Sequence, residues 1–240
     1  MSSRIFTLND YLLLDEDPQL EYRRRQRNEK KSIHWGQWKL LLTEIEFLTR
    51  FWNPQDVSTP KIVYAGAAPG KHIPFLSLLF PAMEFHLYDP RKFHIQETDK
   101  IHLYQQYFTD EDAHVWAGRN DVYFISDIRR YNYADISETE NEKAIVEDMR
   151  MQENWYNIIK PVYAHLKFRL PYSSTGLGDV IPQDRFIQYL DGFVFKQAWA
   201  PQTSTETRLV PYGVGILKQW DSLKYEQQMF YHNTAVSIHI

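Results

Sequence analysis

Four residues set far apart in the chain have the types needed to take a proton from a weakly acidic hydroxyl: Lys39, Asp127, Lys167 and Glu206. A hydroxyl is a poor nucleophile until its proton is removed. A lysine whose ammonium is disfavoured by burial and a neighbouring cation is a competent base. On that reading Lys167 is the base, Lys39 the second cation, Asp127 an acid at the tip of a strand, and Glu206 the group that orients or balances the two lysines. Each residue also has an ordinary alternative. An acid at a strand tip can be a helix N-cap. A strand lysine can point to solvent in the two-residue alternation. A second feature is the turn Gly66-Ala67-Ala68-Pro69-Gly70, which follows a short apolar run. Small residues let a ligand approach the backbone, and a following helix offers free N–H groups; the same glycines also suit a plain turn. Asp89 stands roughly 20 residues on, where an α/β fold holds a ribose diol. The three-glycine dinucleotide fingerprint is absent, and the pattern suits S-adenosyl-L-methionine, which carries no phosphate.

The elements that must position these residues follow from periodicity. Trp38, Leu41, Leu42, Ile45 and Leu48 predict an amphipathic helix over 34–52. Strands are expected over Lys61–Ala65, Glu84–Asp89, Ile101–Tyr104, Val122–Asp127, Ala164–Leu170, Phe193–Ala198 and Glu206–Tyr212. A helix through Ile73, Leu76 and Leu79 follows the glycine turn, and a long polar helix covers 139–159. Strands alternating with helices predict an α/β chain. Its centre is a single Rossmann-like domain over 32–240, preceded by a charged segment over 1–31. The sheet is expected to be mostly parallel with helices on both faces, and ligands to sit at the carboxyl ends of its strands.

Composition narrows the classes. The chain holds 27 Lys and Arg against 31 Asp and Glu, a formal charge of -4, so any nucleic-acid contact has to be a local patch. Arg23, Arg24, Arg25, Arg27, Lys30 and Lys31 cluster and form either such a patch or a solvated face. The absence of cysteine excludes disulfides, thiolate metal sites and a cysteine nucleophile. No stretch approaches the ~18 apolar residues of a spanning helix, and the N-terminus lacks a signal design, so no membrane and an intracellular protein are expected. The aromatic content of 15% is high, and rings near loops would make stacking platforms for bases.

The four residues, in their order, resemble the K-D-K-E tetrad of RNA ribose 2′-O-methyltransferases. Five segments resemble a narrower family: those around Gly36–Glu44, Val63–Ile73, Ile125–Arg129, Leu166–Tyr172 and Ser204–Leu209 are similar to poxvirus-type cap-specific mRNA 2′-O-methyltransferases, over about residues 20–232. The resemblance implies transfer of a methyl group from S-adenosyl-L-methionine to the ribose 2′-hydroxyl of the first transcribed nucleotide of m7G-capped mRNA. S-adenosyl-L-homocysteine is then the product, and no metal is required. It implies that Gln37, Tyr64, Gly66, Ala68, Pro69, Gly70, His72, Asp89, Arg91, Phe108 and Asp127 line the methyl-donor pocket. It implies that Tyr22 and Tyr172 stack the methylated guanine and that Glu226 pairs with its edge, with Arg169, Arg208 and the basic N-terminal stretch gripping RNA phosphates. Thr203 stands where the family has a tyrosine, which puts the manner of cap grip in question. A large DNA virus as source, with action in the virion and host cytoplasm, is also implied. So is a viral poly(A) polymerase catalytic subunit as a partner. Two rival readings are a non-catalytic RNA-binding subunit of that polymerase and a nicotinamide-dependent dehydrogenase.

Overall fold

A parallel strand buried on both faces must be apolar almost throughout, and β1 (Lys61–Ala65) has that character: Ile62, Val63, Tyr64 and Ala65 are all buried. The structure, a computed structural model, describes residues 11–23, 36–130, 137–172, 185–198 and 200–236. β1 lies between β2 (Glu84–Tyr88) and β4 (Val122–Ser126), parallel to both. β3 (Ile101–Tyr104) extends the sheet beyond β2, and β5 (Tyr163–Phe168) extends it beyond β4, again in parallel. Two antiparallel strands complete that side, β8 (Thr207–Pro211) beside β5 and β7 (Gly192–Phe195) at the edge. The seven-stranded order is β3-β2-β1-β4-β5-β8-β7, so strand order reverses between β1 and β4. In open α/β sheets that reversal opens the crevice where ligands bind.

The two-residue alternation divides the core into two layers. Ile62, Tyr64, Tyr123 and Ile125 pack toward α1 (Gly36–Phe51) and α2 (Ile73–Leu79), through Leu41, Phe47, Leu48 and Leu76. Val63, Phe124, Leu166 and Phe168 face the other way. They meet α3 (Asp110–Trp116), α4 (Glu138–Ile159) and α5 (Ser222–Tyr231). The mostly parallel sheet with helices on both faces is therefore present. Five elements were not expected from periodicity: α3, α5, a short π-helical segment over His232–Val236, and the two strands of a separate antiparallel ribbon, β6 (Phe186–Leu190) with β9 (Leu217–Asp221). Local signals for the helices were nonetheless there. Thr109 and Asp112 form a reciprocal capping box on α3, and Asp221 caps α5 through the Lys224 N–H. Residues 11–23 run irregularly over the antiparallel side. The Leu13 N–H donates to the Val194 carbonyl at 2.8 Å, and the Gln228 carboxamide donates to the Leu14 carbonyl at 2.9 Å.

The turn after β1 is fixed by contact as much as by conformation. Gly66 has φ +84°, and a Cβ there would lie 2.8–2.9 Å from the backbone of Asp127 and Ile128. The loops that follow β1 and β4 therefore touch, main chain to main chain. Gly66→Ala is expected to cost at least ~1–3 kcal/mol from backbone strain alone. Chemical denaturation monitored by circular dichroism will register it as a lowered midpoint; an unchanged midpoint would mean the two loops do not meet.

Candidate active site

The fold brings Lys167 together with Asp127 and Glu206. On β5, the alternation sends Leu166 and Phe168 into the α4 layer, and His165 into the α1 layer against Phe47, with ring centroids 5.0 Å apart. Lys167 shares the α1-facing side with His165. Its Nζ lies 3.0 Å from Asp127 Oδ1, just past the end of β4, and 3.3 Å from Glu206 Oε2, just before β8. The surprise is Arg208. Expected as a phosphate grip, it is 2% exposed and sits directly opposite Lys167 in the β5–β8 register. Its Nη2 donates to the same Asp127 Oδ1 at 2.8 Å and lies 3.3 Å from Glu206 Oε1. With its carboxamide oxygen turned inward, Gln197 accepts from Arg208 Nε at 3.2 Å. Two cations facing one another across adjacent strands repel. Here two carboxylates alternate with them, and the four groups close a ring: Lys167, Asp127, Arg208, Glu206. The expected role of Arg208 in gripping RNA is corrected accordingly, because a buried guanidinium saturated by carboxylates has nothing to offer a phosphate.

Lys39 stands on α1 beside this ring. Burial pushes its ammonium below the ordinary lysine range; Glu206 pulls it back up, and Arg208 and Lys167 push it down again. Burial opposes ionisation of Glu206, but Lys167, Arg208, Arg129 and Lys39 outweigh that and hold its carboxyl far below the usual range. All four tetrad residues thus occupy one electrostatic cluster.

Gly66, Asp89, Arg91 and Phe108 line one cleft of about 500 Å³ at the carboxyl ends of the strands, with Tyr107, Met151 and Trp155 as walls the sequence reading did not name. The Asp89 carboxylate is 2% exposed. It accepts from the Ala68 N–H at 3.0 Å and from Arg91 through Nε at 3.0 Å and Nη2 at 2.8 Å. The Ala68–Pro69 peptide is cis, and the Pro69 carbonyl accepts from the His94 N–H at 2.9 Å. Gly70, with φ +73°, completes the turn. An acid at the rim, an aromatic wall and a backbone that ligands can approach suit a neutral nucleoside with a cationic tail. The S-adenosyl donor fits that donor set. The Arg91 side chain is 66% exposed and can leave Asp89 to a ribose diol. Tyr64 and His72 are placed differently. Both side chains converge on Glu44, a fully buried acid of α1. His72 Nε2 lies 2.9 Å from Glu44 Oε2. Their side chains support the turn from beneath and are not walls of this cleft. Gln37 is in the first turn of α1, and its side chain lies outside the described residues.

Tyr22 and Tyr172 are brought together, but against each other. Their centroids are 5.2 Å apart at 33°, leaving no slot for a base. Both hydroxyls donate to the Thr203 carbonyl, at 3.4 and 2.7 Å. The residue that replaces the family's tyrosine therefore clamps the pair through its backbone. Phe230 closes edge-on over Tyr22 at 5.3 Å, and the Arg169 guanidinium covers Tyr172 at 4.2 Å. Arg169 also donates to Glu142 at 2.5 Å and is 4% exposed, so its expected phosphate contact is corrected too. Glu226 is buried on α5 and close enough to raise the Tyr22 hydroxyl further, after burial and Tyr172. Of the basic stretch only Arg23 is described.

Residues 7–240 match the family model described as "Poly A polymerase regulatory subunit". The chain is 30% identical over 245 residues to the cap-specific mRNA (nucleoside-2′-O-)-methyltransferase of Myxoma virus (strain Lausanne), across 94% of this chain and 69% of that protein. It is 29% identical over 223 residues to the protein of the same name from Fowlpox virus (strain NVSL), across 84% of this chain and 67% of that one. The solved structure of bluetongue virus VP4, described as a multifunctional RNA-capping production-line, aligns with a TM-score of 0.55 at 12% identity. The alignment covers 90% of this chain and 37% of that one, and the likeness is one of fold.

The Glu44–His72 contact carries a pH signature. Burial works against the imidazolium, but Glu44 outweighs it and the His72 pKa is raised in the folded protein. A raised folded pKa gives stability that is fully present below the unfolded value of about 6.5 and lost as pH rises through the folded value. His72→Gln is expected to flatten the fall in melting temperature above pH ~6.5; a variant that keeps the wild-type slope would locate it elsewhere.

Proposed function

The chain belongs to the poly A polymerase regulatory subunit family, and from that membership and the geometry of the ring we propose that it is a methyltransferase acting on the ribose 2′-hydroxyl of capped mRNA. The observation that carries the reading is the placement of the Lys167 Nζ between two carboxylates at the carboxyl end of the sheet, beside the donor cleft. S-adenosyl-L-methionine, when bound, supplies a methyl group on a sulfonium, whose departure as the neutral thioether needs no metal. Asp89 holds the donor's ribose once Arg91 withdraws, and Phe108 backs the base. Lys167 takes the proton of the 2′-hydroxyl at Nζ. Asp127 and Glu206 aim that nitrogen, Arg208 fixes both carboxylates, and Lys39 stands beside them on α1. General-base help of this kind supplies ~10²–10⁴-fold, and positioning adds to it.

Lys167→Ala is expected to lower methyl transfer to capped RNA by at least ~10²-fold while S-adenosyl-L-homocysteine binding stays within about twofold. Lys167→Arg should not rescue it, because a guanidinium does not deprotonate. Substrate RNA already methylated at the first 2′-oxygen should accept nothing. Tritium transfer with calorimetry checks all three, and wild-type turnover in either variant would remove Lys167 as the base.

Cap recognition on this reading begins with opening of the tyrosine pair. The Arg169 guanidinium holds Tyr172, so the movement is assigned to Tyr22 at the end of the 11–23 segment. Tyr22→Ala and Tyr172→Ala are each expected to raise KM for capped RNA about tenfold or more, in line with ~1–3 kcal/mol per stacked base. An unchanged KM for both would place the methylated guanine elsewhere.

A second reading concerns a partner and does not exclude the first. Trp38 and Leu42 on α1 and Phe75, Leu78 and Leu79 on α2 are exposed apolar residues, Leu78 by 78%. Such surface suits a protein partner, and the family description points to a poly(A) polymerase catalytic subunit.

A further inference from the structure

A second group of chemically capable side chains lies away from the ring. Glu84 opens β2, so it sits toward the end of the parallel sheet opposite the donor cleft. His86 follows two residues later on the same face, and His102 of β3 is its register partner across the pair. The two imidazoles stack with centroids 4.7 Å apart. Both aim Nε2 at one atom, Glu84 Oε1, from 2.9 Å and 3.1 Å. The second contact is not a hydrogen bond: His102 Nε2 is buried and has no hydrogen-bond partner among the described residues. Two imidazole nitrogens and one carboxylate oxygen directed at a common point could share a cation.

We propose that Glu84 Oε1, His86 Nε2 and His102 Nε2 form a binding site for a divalent transition cation of the zinc class, with water completing the coordination. Two imidazoles and one carboxylate are a borderline donor set suited to zinc, copper or nickel and poorly suited to magnesium or calcium. Bonds of about 2.0–2.1 Å in a tetrahedral arrangement separate ligand atoms by about 3.3 Å. The present spacings of 2.9 and 3.1 Å therefore have to widen by only a few tenths of an ångström. The outer shell is in place as well. The Tyr104 hydroxyl lies 3.2 Å from His86 Nδ1 and can accept its proton, which frees Nε2 for a metal. Lys61 pairs with the other Glu84 oxygen and, with the more distant Arg119, opposes a cation there. A bound ion would tie the outermost strand β3 to β2, a role independent of methyl transfer.

The test uses full-length protein stripped with a chelator and titrated with zinc chloride by calorimetry, with cobalt(II) absorption as a geometric readout. One equivalent should bind, with intense visible cobalt bands of a tetrahedral site and a raised melting temperature. His102→Ala, at a partly exposed position, should weaken zinc binding more than the ~10–100-fold expected for loss of an outer partner such as Tyr104→Phe. Lys61→Met should tighten it. Circular dichroism shows whether each variant folds, and His86→Asn serves if His102→Ala does not. Absence of zinc binding to the wild-type chain, or wild-type zinc affinity in the folded His86 and His102 variants, would overturn the site.

Discussion

The alternating ring of Lys167, Asp127, Arg208 and Glu206 is the constraint on which the rest of the site depends. Strand pairing puts two cations side by side in the buried β5–β8 register. Neither could stay there without an anion, since an uncompensated buried charge costs several kcal/mol. Asp127 comes from the loop after β4, and Glu206 from the residue just before β8. The ring therefore fastens β4, β5 and β8 at one end of the sheet. Because Asp127 Oδ1 serves both Lys167 and Arg208, any shift of β8 reaches Lys167 directly. Chemistry and architecture share the same four charges.

The donor cleft depends on that arrangement through the backbone. Gly66 lets the loop after β1 lie against Asp127 and Ile128, so the glycine turn and the ring are placed by one contact. Below, Glu44 draws His72 and Tyr64 toward α1, and the helix that carries Lys39 is thereby tied to the turn. Above, Asp89 and Arg91 close on each other. The tyrosine pair has the same logic, since Tyr22 and Tyr172 satisfy their hydroxyls on Thr203 and their faces on one another. A closed polar site costs less than an open one when no ligand supplies the missing partners.

Much of this was legible in the chain. The apolar run at Lys61–Ala65, the glycine turn behind it and the helical spacing from Trp38 to Leu48 are local patterns, and the structure has a strand, a turn and a helix there. The short α3 lay below the length at which periodicity is evident, although its Thr109 cap was visible. The β6–β9 ribbon was hidden because its strands are separated by more than 25 residues and are half exposed, with neither a hairpin turn nor an apolar run to mark them. Among site residues, lysines and acids could be proposed as a set because each type suits proton transfer.

The sequence alone determined which residues could be strands and helices, and that a glycine turn follows the first strand with an acid at the end of the next, because those properties are written in neighbouring side chains. It did not determine the partner of Arg208, the turning of Tyr64 and His72 toward Glu44, or the collapse of Tyr22 onto Tyr172. Those are pairings between residues tens to more than a hundred positions apart, and only the folded sheet decides which buried charge finds which. Arginine is suited to phosphate and to carboxylate alike; burial at the centre of the sheet, which no local pattern reveals, made the choice.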